Sequence, residues 1–101
     1  MSGPEPAAVD PSTRLGWDRD VLVRRTPRSV LLYTNGAPEP VVLRDSAVTV
    51  WDEFRTGATP AAVASDLAAR FGVDHEDAGH DIAPLIAQLC RAGALTELRQ
   101  A

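Results

Sequence analysis

The residues of this 101-residue sequence best suited to chemistry are two histidines, one cysteine and two adjacent acid pairs. His75 and His80 are separated by roughly 140° around a helix of ~3.6 residues per turn, so they do not share a face. Adding Cys90 gives no zinc-binding spacing, and the histidines read as surface residues of an acidic helix. Cys90 follows Leu89 and has no histidine beside it in sequence to activate it, so it reads as a small buried hydrophobe. Asp52-Glu53 and Glu76-Asp77 are neighbours on helices and point to different faces, as solvated helix surfaces do. Gly72, Gly79 and Gly93 stand singly at helix ends or bends and form no phosphate-cradling loop. The sequence therefore predicts no catalytic residue, no metal ligand and no required cofactor.

What remains is the chemistry of the main chain. Val41-Val42-Leu43 reads as a short strand, and Pro40 at its start has no N–H to donate, which suits an edge position. An edge strand exposes N–H and C=O groups that can take an extended peptide as an added strand. Arg44 makes the end of this strand basic. The apolar stripe of the last helix, with Ile82, Leu85, Ile86 and Leu89, is placed to wall a groove beside it. Alternate strand residues must face the core, so only part of this set can meet a ligand. A Leu43→Pro change tests strand addition, provided that the Leu43 N–H faces the open edge. Two copies could also pair through the same edge, which makes a homodimer a further expectation.

These residues need a scaffold to position them. Residues 1–16 are rich in Pro, Ala, Gly and Ser and read as a flexible N-terminal tail. Residues 17–101 form one domain, with Trp17 its first large apolar residue. Val21-Leu22-Val23 and Val30 to Thr34 are two further strands. Asn35-Gly36 tolerates the positive φ angles of a hairpin turn, and the connection then lengthens through Ala37-Pro38-Glu39-Pro40. Short connections make the three strands an antiparallel meander.

The apolar period then changes from two to about 3.6. Ala47, Val50, Trp51 and Phe54 share a helix face, with Asp45 or Ser46 as N-cap and Gly57 as the stop. Thr59-Pro60 opens a second helix. Val63, Ala64, Leu67, Ala68 and Phe71 line its inner face, and Gly72 ends it. Asp74 caps a third helix, with Asp77 completing an acidic capping box. Its stripe is Ala78, Ile82, Leu85, Ile86 and Leu89, closed by Gly93. Pro84 removes a backbone bond, so this helix either bends there or begins near His80 or Asp81. Leu95 and Leu98 pack back onto the core. Sheet first and helices second make the fold α+β, a three-stranded antiparallel sheet followed by three helices.

Composition narrows the function classes. Apolar residues are 45% and charged residues 24% of the chain, as in a soluble globular domain. There is no signal-peptide pattern and no apolar run that could span a bilayer, so the expected location is cytoplasmic, without a membrane partner. A single cysteine, unable to form an internal disulfide, agrees. The net charge is −4, unlike a nucleic-acid binder. Its distribution is uneven. Arg24, Arg25, Arg28 and Arg44 face only Glu39 in the strand half, whereas Asp74, Glu76, Asp77, Asp81 and Glu97 outnumber Arg91 and Arg99 after the second helix. A winged-helix DNA-binding regulator is one alternative, but its recognition helix would present those carboxylates to phosphates. A structural subunit of a larger enzyme is another.

The run Val42-Leu43-Arg44-Asp45-Ser46-Ala47-Val48-Thr49-Val50-Trp51-Asp52-Glu53-Phe54 with Gly57 resembles the PqqD-like signature. That signature has a strand ending in Leu-Asn, then a helix that carries a Trp and stops at a Gly. The later positions Thr59-Pro60, Leu67, Phe71, Asp81, Leu85, Leu89, Gly93 and Leu95 fit its spacing. Arg44 stands where the family commonly has Asn, and Pro84 interrupts the third helix. The resemblance implies a winged-helix-like domain that recognises the leader of a ribosomally made precursor peptide and delivers it to a separate modifying enzyme. It implies a site on the third strand and third helix: Val41, Val42, Leu43 and Arg44 with Asp81, Ile82, Leu85 and Leu89. The basic strand half suggests a leader with acidic residues.

Overall fold

The computed structural model describes residues 9–98. Its elements run β1 (Leu15–Trp17), β2 (Leu22–Arg25), β3 (Val30–Tyr33), β4 (Val41–Leu43), α1 (Ser46–Glu53), α2 (Pro60–Phe71), α3 (His75–Ala92) and β5 (Leu95–Glu97). The expected meander is present as an antiparallel sheet of order β2-β3-β4, followed by three helices. Its alternation sets the two faces. Val30, Leu32 and Leu43 point inward and are buried, while Leu22, Tyr33 and Val42 point outward and are exposed.

The helices close over the inner face. Val50, Trp51 and Phe54 come from α1 and its end, Val63, Ala64 and Leu67 from α2, and Ala78, Ile82, Ile86 and Leu89 from α3. Each fully buried Val, Leu, Ile or Phe among them contributes about 1.5–3 kcal/mol relative to exposure. Trp17 stacks on Trp51, ring centroids 4.5 Å apart and planes within 7°. Its Nε1–H donates to the Trp51 carbonyl at 2.8 Å, so the polar edge of a partly buried ring is satisfied.

Local signals place α2 and α3. The Thr59 side chain accepts from the Ala62 N–H at 3.1 Å, with Pro60 in the first turn. The Asp74 carboxylate accepts from the Glu76 N–H at 3.0 Å. Gly72 and Gly93 end the two helices in the left-handed region. α3 runs from His75 through Pro84 to Ala92 and does not start near His80 or Asp81. The tertiary packing of Ala78, Ile82, Ile86 and Leu89 holds together what Pro84 weakens. The N-cap of α1 is Asp45, one of the two expected N-caps, which sits at φ 54° and makes no side-chain capping bond; the last residue of α1 is Glu53, well before Gly57.

The structure also departs from the sequence reading at the chain ends. Leu15 and Gly16, expected in the tail, lie in β1, which pairs antiparallel with β5. Leu15 further exchanges two backbone bonds with Ala58, at 2.7 and 2.9 Å. Leu98 packs over Gly16 and Gly57, where an added Cβ would come within 2.9 and 2.8 Å of it. Residues 1–8 of the expected tail lie outside the described residues.

Gly36 is required for a different reason than a positive φ. A Cβ there would lie 2.5 Å from the Ala92 carbonyl oxygen. Beside it the Thr34 hydroxyl donates to the same oxygen at 2.6 Å. The β3–β4 loop is thus pinned to the C-terminus of α3.

Candidate functional site

Among the described residues no group of three His, Cys, Asp or Glu could hold a metal. His75 and His80, placed on separate faces by their spacing, both line one cavity of about 410 Å³ between α2 and α3. They do so because the cavity is wide, reaching across α3 and up to Val9 and Pro11. Cys90 is half-buried, and burial raises its thiol above the usual range, so it stays protonated at neutral pH.

The acid pair on α1 splits between two partners, as adjacent helix residues must. Asp52 meets Arg25 of β2 at 2.6 Å, and Glu53 meets Arg70 of α2 at 3.1 Å. Burial first, and Asp66 alongside, push the Glu53 carboxyl above the ordinary carboxylate range. Both acids tie α1 to its neighbours.

The β4 edge can be read residue by residue. In the turn before β3, the Thr26 N–H donates to the Ser29 carbonyl at 2.9 Å. In an antiparallel ladder this direction alternates. Leu31 and Tyr33 therefore turn their main-chain groups to β2, and Val30 and Leu32 turn theirs to β4. Leu43 is opposite Val30 and Val41 opposite Leu32, so both use their N–H groups inside the sheet. Val42 is left with its N–H and C=O on the open side. Pro40, two residues earlier, shares that phase and deprives the sheet of no donor. The expectation for Leu43 is corrected accordingly: its N–H faces β3, and Val42 occupies the edge.

Side-chain burial divides the predicted set. Val41 is partly buried on the inner face, Val42 is 49% exposed on the outer face, and Leu43 is 2% exposed in the core. Arg44 is exposed just past the strand. On α3, Asp81 is exposed, Leu85 is half-buried and Ile82 is largely buried. These three line a depression of about 260 Å³ with Ser46, Ala47 and Val50 of α1. Leu89 is fully buried and does not line it.

Phe71 and Val73 complete that depression, 59% and 48% exposed. Phe71 was expected on the buried face of α2. It is the last residue of that helix, beyond the residues that pack on α3. The sequence signal for this apolar rim is Phe71-Gly72-Val73, two large apolar residues around a helix stop. The depression therefore begins within one helical turn of the β4 end and carries an apolar wall with Asp81 at its rim.

A family model described as coenzyme PQQ synthesis protein D (PqqD) matches residues 28–95. No curated protein sequence matches the chain. Among solved structures, the chain is similar to the PqqD truncation of Methylobacterium extorquens PqqCD, solved by solution NMR. That protein is described as a functional and stand-alone recognition element for ribosomally synthesised and post-translationally modified peptides. The two share 26% identity over 92% of this chain and 99% of the other, with a TM-score of 0.71. The family match runs from the turn before β3 to the start of β5 and takes in the whole β4 edge and its depression, and the chain belongs to the PqqD family.

Proposed function

We propose that this protein is a non-catalytic adaptor that binds the leader segment of a ribosomally synthesised precursor peptide and presents the peptide to a separate modifying enzyme. The leader adds as a strand along β4. The observation that carries this reading is the open β4 edge, with Val42 outward and an apolar depression behind it, in a member of the PqqD family. Main-chain bonds at the edge supply affinity without regard to sequence, and the depression selects among side chains. The adaptor raises the effective concentration of the peptide at the enzyme and needs no reaction centre of its own. The exposed Asp74, Glu76, Asp77 and Asp81 of the first half of α3 and its cap disfavour a nucleic-acid backbone. Among the described residues, no helix is long and apolar enough to cross a membrane.

The test is a titration of this protein with labelled leader segments of short peptides encoded beside its gene. Saturable binding at about micromolar Kd or tighter is expected, with Val42 and Leu85 amide resonances shifting on saturation. Absence of binding by every such leader overturns the adaptor reading.

A further inference from the structure

At the end of β4, on the side of the β2–β3 turn, lies a second cavity of about 670 Å³ with a polar lining. Arg25, Arg28 and Arg44 line it over a floor that includes Val30 and Val48, and among the described residues Asp45 is its only acid. We infer that this cavity receives carboxylates of the peptide that adds to β4, so that the ligand carries an acidic segment next to its strand-forming residues. This rests on the adaptor reading and specifies the ligand's chemistry.

The geometry supports it in three ways. First, Arg44 follows directly on Leu43, the last residue of β4, and lines the cavity. A strand that runs along β4 past Leu43 therefore arrives beside it. Second, the turn that carries Arg28 is already built. Thr26 Oγ1 accepts from the Ser29 N–H at 3.0 Å and lies 2.8 Å from the Ser29 hydroxyl, so little ordering remains for the ligand to supply. Third, the charges are unequally used. Arg25 is bound by Asp52 at 2.6 Å, whereas among the described residues the Arg28 and Arg44 guanidinium groups make no ion pair.

Guanidinium forks match carboxylates in shape as well as sign. A long polyanion such as a nucleic acid would extend beyond the cavity over a protein of net charge −4. Two or three carboxylates on a peptide already held by its backbone would not. Asp45 opposes the incoming charge and holds its backbone at φ 54°, a conformation that Asn also tolerates.

The experiment has two arms. In the first, capped tetraglutamate and capped tetraglutamine are titrated into isotope-labelled protein at about 20 mM salt and followed by NMR. Tetraglutamate should shift the Arg28 and Arg44 side-chain resonances and the Ser29 and Val30 amides, and tetraglutamine should not. In the second, leader binding is compared across variants. The Arg28→Gln/Arg44→Gln pair should bind about tenfold more weakly, with a flatter salt dependence, and Asp45→Asn about twofold more tightly. Unshifted arginine resonances, or a double variant that binds the leader like the parent, overturns the inference. Equal binding of a single-stranded oligonucleotide and tetraglutamate would overturn the choice of a peptide. If tetraglutamate shifts these resonances but no leader binds, the cavity stands as a carboxylate site and the adaptor reading falls.

Discussion

β2 and β4 are the two open edges of one sheet and flank the same central strand, yet they differ in what lies behind them. By the alternation set at Thr26, β2 turns the main-chain groups of Val23 and Arg25 to its open side. β4 offers those of Val42, followed by Arg44, whose carbonyl already accepts the Ala47 N–H at 3.0 Å. β2 thus has more free backbone in its strand. It carries Leu22, 69% exposed, and none of its residues lines the depression at Leu85. β4 has less free backbone but leads straight into α1 and the depression that Leu85 lines. Its connection to β3 is anchored on α3 through Thr34 and Gly36. Unpaired backbone is common to both edges; the proposed peptide site rests on the fixed edge that has an apolar depression beside it.

The contrast can be broken most forcefully inside β4. Leu43→Pro removes a ladder donor and a buried side chain together. It should cost ~3 kcal/mol or more, read as a loss of denaturant stability. Val42→Pro, one residue away, removes only an outward donor. It should leave the thermal midpoint nearly unchanged while weakening leader binding by at least about tenfold. Val23→Pro does the same to the open side of β2 and should keep leader affinity within about twofold of the parent. Equal loss from the Val42 and Val23 variants would move the site off β4. Next comes the depression. Leu85→Ala should weaken the leader by about fivefold, against no measurable change for Leu22→Ala on β2.

The smallest effect belongs to Cys90, which lines neither the arginine cavity nor the depression. Its raised pKa favours the neutral thiol in the folded protein. Stability from that form is present below the unfolded-chain value and is lost as pH rises through the folded one. Iodoacetamide should alkylate it more slowly than free cysteine at pH about 8, with the rate unaltered by saturating leader. Protection by the leader would extend the binding surface along α3 beyond Leu89.

Much of this was legible in order. The apolar periods marked the three helices and the meander, and Pro40 marked β4 as an edge. Two members of the candidate set, Leu43 and Leu89, lie in the core for identifiable reasons. Leu89 shares the helical stripe with Leu85 but sits a turn deeper in the core. Leu43 and Val42 are adjacent, and which of them turns its N–H outward is a matter of phase. Propensity and pattern do not fix that phase; the hydrogen bond at Thr26 does. Asn35-Gly36 looked like a tight turn because its residue types suit one, whereas Gly36 answers to a carbonyl on a distant helix.

By itself the sequence determined what short-range physics controls. Thr59-Pro60 and Asp74 start helices, Gly72 and Gly93 stop them, and the stripe from Ala78 to Leu89 selects the buried face. These interactions span a few residues, so residue type and spacing suffice. Tertiary structure alone decided the rest. It paired β1 with β5 across nearly the whole chain, exposed Phe71 at the rim of the depression, and gathered Arg25, Arg28 and Arg44 around one cavity. Those arrangements depend on how separate elements pack, and no local pattern records the distance between side chains that meet only when the core closes.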